Sequence, residues 1–300
     1  MIYYGERKLN IKRVILIVCA VATSICLSFS IFHITRDYKI FSLESKETKT
    51  FESMREEKKL EDEKAKQEEE KKRAKYLPLS ADDIEKVYSA YKSPEDGSKR
   101  VFLTFDDGPT KSVTPYILDL LKQENIKANF FVLGSRVYYN KDIAKREFDE
   151  GHFIGNHSYS HNYDSIYASE ESILDEYNRT NDILKEATGC DYFNTLIFRF
   201  PGGTRGGKHN DLKVATAEKL HQIGVGTIDW NVLTGDAEGS RTKEAILEDF
   251  NKGVQGKNSV VLLMHDASDK ILTYETLPDI ISYFRNNGYQ FMTFYDLLNR

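Results

Sequence analysis

The chain has 300 residues, 40% of them apolar and 12% aromatic, enough for one large domain or two small ones with a sizeable core. Its net charge of −5 is unevenly spread: 17 Lys and Arg face 13 Asp and Glu up to residue 76, and 25 face 34 beyond it. So acidic a globular part disfavours nucleic acid and other polyanions as partners. Of the three cysteines, Cys19 and Cys26 lie in an apolar run and only Cys190 in the globular part, which excludes a disulfide scaffold.

Residues 14–34, "VILIVCAVATSICLSFSIFHI", form an uncharged run long enough to cross a hydrocarbon layer of ~30 Å as a helix. Arg7, Lys8, Lys12 and Arg13 precede it, so residues 1–13 are expected on the cytoplasmic side and the bulk of the chain outside. The alternative is a cleaved signal peptide. The sole A-x-A of this run, at Ala20-Val21-Ala22, falls in its middle and would leave too short an apolar core, which favours an uncleaved anchor. Residues 35–77 are dominated from 44 onward by Glu, Lys and Arg. They are read as a stalk, either a solvated helix with i,i+4 ion pairs or a charged disordered tether, with too few apolar residues for a coiled coil.

From residue 78 the texture alternates. "VFLTF" reads as a strand and "SVTPYILDLLKQENI" as a helix. Then come "ANFFVLG" (strand), "KDIAKREFDEG" (helix), "HFIGNHS" (strand into loop) and "SEESILDEYNRTNDILKEATG" (helix). "TLIFRFPGG" is a strand, "NDLKVATAEKLHQIG" a helix and "VGTIDWNV" a strand. "TKEAILEDFNKGV" is a helix, "SVVLLMHD" a strand and "ETLPDIISYFRNNG" a helix before a final strand "YQFMTF". This alternation predicts a parallel α/β architecture, barrel or doubly wound, and the number of units favours the barrel.

Chemistry gathers at the C-terminal ends of these strands: Asp106 and Asp107, His157 and His161, Arg199, Asp236, then His265 with Asp266. In α/β barrels those ends share one face, where active sites are built. His157 and His161, four apart, would present two imidazoles on one face of a helical turn. With a strand-end carboxylate they make a facial metal site with open positions. The paired aspartates then make sense. One is neutralised by a cation and the other stays free to take a proton, whereas a purely structural "DDGPT" would cap the next helix.

"TFDDGPT", "NHSYSH", "RFPGG", "TGDAE" and "LLMHD", in this order and spacing, resemble the motifs of the polysaccharide deacetylases of carbohydrate esterase family 4, over about residues 99–297 of a domain placed at 78–300. The resemblance implies a distorted (β/α) barrel and metal-dependent removal of acetyl groups from N-acetylated sugars. It implies that Asp107, His157 and His161 hold one divalent ion, expected to be zinc, with cobalt, nickel or manganese as alternatives. It makes Asp106 the general base, oriented by Arg199, and His265 the general acid. The Gly202 backbone N–H becomes an oxyanion donor at a position where the family often has Tyr, and Leu263 lines the pocket for the acetyl methyl.

The fourth motif departs from the pattern: the family's Asp-Trp pair falls on Asp236-Ala237, so the carboxylate that tunes the acid histidine remains and the indole is missing. Asp229-Trp230 is a rival match. With Gly202, the lost indole predicts a roomier groove. Anchor and stalk point to peptidoglycan N-acetylglucosamine as substrate. Alternatives are chitin oligomers, an exopolysaccharide or O-acetylated xylan, and a non-catalytic glycan-binding protein on the same fold. Asp266, Asp269 and Lys270 read as loop residues near the site mouth, His152, His209 and His221 as surface or core histidines, and Cys190 as an idle thiol.

Overall fold

The computed structural model describes residues 11–239 and 241–300. Most of the expected cytoplasmic N-terminus, with Arg7 and Lys8, lies outside the described residues. The chain divides into two compact units, Met1–Glu69 and Glu70–Arg300. Helix α1 (Ile11–Ala74) buries none of its residues and is long and apolar enough at its N-terminal end to cross a membrane. The charged segment is thus a continuation of that helix.

The second unit begins its core earlier than residue 78. Tyr76 is buried against Phe193 and Tyr295, and the Leu79 N–H donates to the Gly224 carbonyl. Next come α2 (Ala81–Ser89), started by a capping box between Ser80 and Asp83, and strand β1 (Lys99–Asp106). Then follow α3 (Thr114–Gln123), β2 (Asn129–Val132), α4 (Gly134–Tyr139), α5 (Lys141–Asp149) and β3 (Phe153–Asn156). After α6 (Tyr163–Ile166) runs α7 (Glu170–Thr188), which the Ser169 side chain caps at its start and a left-handed Gly189 closes. The rest is β4 (Ile197–Phe198), α8 (Asn210–Gln222), β5 (Gly226–Thr227), β6 (Val232–Leu233), α9 (Lys243–Val254), β7 (Ser259–His265), α10 (Ile271–Asn286), β8 (Tyr289–Phe291) and α11 (Phe294–Leu298).

Every strand pairing is parallel, in the order β5-β4-β3-β2-β1-β7-β6, and β8 pairs with the start of β1. Among the described residues β5 and β6 do not pair, so the barrel stays open there. The expected strand 225–232 accounts for this: it splits into two two-residue strands on either side of Asp229 and Trp230. Likewise only Ile197–Phe198 of the expected strand 195–203 joins the sheet. Residues 101–106 of β1 are all buried, as a central parallel strand covered on both faces requires. Phe102, Phe131, Phe153 and Phe294 pack together in its core, with ring centroids 5.0 to 6.2 Å apart.

Register brings the chemistry together. Asp106 is the Cα partner of His265 on one side and of Phe131 on the other. Val132 pairs with Asn156, and Asn156 with Phe198. The segments that follow β1, β3, β4 and β7 therefore leave the sheet side by side.

Candidate active site

Asp106 ends β1 with its carboxylate buried, and Arg199, fully buried just past β4, reaches across to it. The guanidinium Nη1 donates to Asp106 Oδ1 at 2.8 Å and to Thr104 Oγ1 at 2.7 Å. Nε donates to the Ile228 carbonyl, Nη2 to that of Asp229, and the guanidinium carbon lies 4.0 Å from the Phe131 ring centroid. A buried guanidinium with this many acceptors is held in one orientation, and so is the carboxylate it grips. Burial pushes the Asp106 carboxyl above its ordinary value, and the Arg199 charge offsets part of that.

Asp107, in left-handed backbone (φ 75), swings its carboxylate to the other side of the turn. Its Oδ1 lies 3.6 Å from His157 Nε2 and 3.5 Å from His161 Nε2. One donor atom from each of the three residues falls within 4.8 Å of the others. Asp107 Oδ1 is buried and has no hydrogen-bond partner, an oxygen that a cation would satisfy. His157 Nδ1 donates to the Arg199 carbonyl at 2.8 Å, which leaves Nε2 with a free lone pair turned toward Asp107. Burial pushes His157 down to about 3, so the ring is neutral, as a ligand must be. An Asp/His/His set with all three donors converging fits a divalent ion of the zinc type.

The two histidines do not sit on a helical turn. They flank a loop in which Ser158 (φ 74) and His161 (φ 56) are left-handed. Glu176 of α7 explains the shape: its Oε2 accepts the N–H groups of Tyr159 at 2.8 Å and Ser160 at 2.7 Å, while Asn156 Oδ1 accepts that of Ser158.

His265 closes β7 beside Asp106. Its Nδ1 donates to Asp236 Oδ1 at 2.9 Å, and its backbone N–H to Asp236 Oδ2 at 2.8 Å, which also accepts the Thr273 hydroxyl. Burial works against the Asp236 charge, but the His265 contacts outweigh it and hold the carboxyl below its ordinary value. Burial also pulls His265 down, and the hydrogen bond and charge of Asp236 overcome this and raise it to about 9. The rival Asp229 is occupied elsewhere: its Oδ1 accepts the Thr204 N–H and hydroxyl. Gly202 (φ 74) is exposed in the loop after Arg199, and Leu263 is buried on β7 two residues before His265.

Asp266 is not at the mouth of the site. It is 1% exposed, and its Oδ2 accepts the Thr114 hydroxyl. A Cβ on Gly108 would lie within 2.4 Å of the Asp266 carboxylate, so Gly108 has to be glycine for the turn after Asp107 to sit there. Burial raises Asp266 to about 7. His152 is buried and accepts the Ala128 N–H, His221 shares hydrogen bonds with Tyr88 and Thr227, and His209 stacks on Tyr167. Beside the Asp/His/His set opens a cleft of about 350 Å³, lined by Asp107, Ser135, Arg136, Tyr139, Ser160 and His161.

Comparison with known proteins agrees with this geometry. Residues 93–223 match the family model described as polysaccharide deacetylase. The chain is 34% identical to the peptidoglycan-N-acetylglucosamine deacetylase PgdA of Listeria monocytogenes over 227 residues, 72% of this chain and 44% of that protein, so it spans less than half of that relative. It is 34% identical to a peptidoglycan-N-acetylglucosamine deacetylase of Bacillus cereus over 218 residues, 70% of this chain and 93% of the relative. The solved structure of a Streptococcus mutans CE4 esterase superposes with a TM-score of 0.62 at 34% identity, covering 72% of this chain and 92% of that one. With the buried Arg199–Asp106 and His265–Asp236 pairs flanking a converged Asp/His/His donor set, and with this degree of likeness, the chain belongs to the polysaccharide deacetylase family.

Proposed function

We propose that this protein removes acetyl groups from N-acetylglucosamine residues of peptidoglycan, using one divalent ion, zinc in the first place. The observation that carries the reading is the convergence of Asp107 Oδ1, His157 Nε2 and His161 Nε2 next to the unligated Asp106 and the Asp236-bound His265. Those three atoms would hold the ion, which when bound acts as a Lewis acid on the acetamide carbonyl and acidifies water. Asp106, held by Arg199, takes the proton of the attacking water. The Gly202 N–H faces the oxygen that gains charge at the tetrahedral carbon. His265, protonated by virtue of Asp236, delivers its Nε2 proton to the departing nitrogen, and Leu263 bounds the space for the acetyl methyl.

Peptidoglycan as substrate is supported by the named activities of the relatives and by the apolar part of α1, residues 14–34, which would anchor the chain with residues 1–13 in the cytoplasm. The charged remainder of α1, as far as Ala74, would serve as a spacer toward the wall, with the domain expected at 78–300, whose core also takes in Tyr76, as the catalytic part. The full chain in detergent, reconstituted with zinc or cobalt, is expected to release acetate from peptidoglycan. Asp106→Asn is expected to abolish release while binding metal as before; full activity in that variant removes the base assignment.

A further inference from the structure

Several backbone groups of the loop that carries Gly202 are held by partners within the chain. Tyr167 Oη donates to the Pro201 carbonyl at 2.6 Å in a buried hydrogen bond. The Gly203 N–H closes a turn onto the Phe200 carbonyl at 2.7 Å, Lys213 Nζ donates to the Gly203 carbonyl at 2.7 Å, and Asp229 takes the Thr204 N–H. Among the described residues the Gly202 N–H has no partner, while the Pro201 carbonyl before it and the Gly203 N–H after it do. Gly202 is exposed, so this N–H is open to solvent and to whatever binds beside it.

The Pro201 carbonyl and the Gly202 N–H are the two ends of one planar peptide unit and point in opposite directions. Whatever fixes the carbonyl therefore aims the N–H. Tyr167 is suited to that: it is 5% exposed, stacked on His209 with centroids 5.0 Å apart, edge-on to Tyr163 at 5.5 Å, and has the Lys213 ammonium 5.8 Å from its ring centroid. Its burial keeps the phenol protonated, hence a donor. A hydrogen bond accepted at the oxygen also polarises the unit, strengthening the N–H as a donor by ~10–30% in condensed-phase estimates. The unit lies beside the metal-ligand side of the site. The hydroxyl of Tyr163, whose ring is edge-on to His161 at 5.6 Å, sits 2.7 Å from where a Cβ on Gly202 would be.

We infer that Tyr167, supported by Lys213, is a positioning residue for deacetylation: it aims the Gly202 N–H at the developing oxyanion from behind, without touching substrate. The inference rests on the proposed oxyanion role of Gly202. Its test compares two small probes on the zinc-loaded full chain in detergent by calorimetry: methylphosphonate, tetrahedral like the reaction intermediate, and acetate, planar like the ground state. Tyr167→Phe is expected to weaken methylphosphonate about tenfold and acetate less than twofold. On N-acetylglucosamine tetramer it is expected to lower kcat about tenfold with KM within twofold. The variant loses some thermal stability because the Pro201 carbonyl is left bare, but a merely structural role moves both probes alike. Equal losses on the two probes, or no loss, overturn the inference. Should Tyr167→Phe not fold, Lys213→Gln frees the loop from the other side and is expected to shift the probe ratio about threefold in the same direction; an unchanged ratio there is equally decisive against it. If the unaltered protein deacetylates no glycan, the proposed function falls, while the probe ratio still decides the role of Tyr167.

Discussion

Asp236 takes the ring N–H and the backbone N–H of the same residue, His265, one on each carboxylate oxygen. The ring is thereby locked with Nε2 facing the site, and its acid form persists to about pH 9. The alkaline limb of the activity profile is therefore expected near that value. In Asp236→Asn the two largest raising effects are lost and burial is opposed only by the charges of Asp106 and Asp107, so the limb moves down from about 9 and activity at pH 7.5 drops about 10-fold. A pH–rate profile of the two proteins checks this. The raised folded-state value also stabilises the fold, fully below pH 6.5 and progressively less as pH rises through about 9, and Asp236→Asn removes that dependence.

Metal should stabilise as well as activate. Zinc at 100 times its dissociation constant is expected to add about 2.7 kcal/mol, visible as a higher melting temperature of the globular unit. His161→Ala is expected to abolish the zinc-induced shift with little change in the metal-free melting point, because the His161 ring is partly exposed. Chelation should return the unaltered protein to its metal-free melting point and abolish acetate release.

Arg199 and Asp106 form a fully buried ion pair. Removing one partner strands the other charge, which typically costs about 3–5 kcal/mol. Arg199→Met is accordingly expected to destabilise strongly, and the double variant Arg199→Met/Asp106→Asn to recover a substantial part of the loss. Urea denaturation of the two single variants and the double one gives the coupling.

Glu176 is 17 and 16 residues from the amides of Tyr159 and Ser160 that it holds, between His157 and His161. Glu176→Ala is expected to weaken zinc about 10- to 100-fold by loosening the loop between His157 and His161, as loss of such a supporting partner usually does. Competition against a chromophoric chelator measures it. Unchanged affinity would show that Asn156 and the sheet suffice to shape the loop.

The sequence displays what is local and conceals what is assembled. Strands β1 and β7 stand out because long apolar runs end in titratable residues, and the donors Asp107, His157 and His161 because carboxylate and imidazoles follow strands. The four-residue histidine spacing suits a helical turn, but Glu176, brought in by α7, holds the intervening amides in a loop with left-handed residues instead. Strands β4, β5 and β6 shrink to two residues each because Arg199, Asp229 and Trp230 leave the ladder, and Arg199 and Asp229 bond the residues around the site. Asp266 is a loop residue, as its place after β7 implies, but it is buried rather than at the site mouth, and nothing in its neighbourhood in sequence reveals Gly108 and Thr114 closing over it. Tyr167 and Lys213 carry no motif at all. Their partners Pro201 and Gly203 lie 34 and 10 residues away, in a loop whose conformation only the fold defines.

The β1–β7 register, from Arg100↔Ser259 to Asp106↔His265, has a consequence for assembly of the site. Because side chains alternate along a strand, a slip of a single residue would turn Asp106 away from Arg199 and carry His265 away from Asp236, though most of the apolar pairing could re-form. Recovered acetate release after denaturation thus reports correct alignment of two strands that are about 160 positions apart in the chain, a discrimination that secondary-structure spectroscopy cannot make.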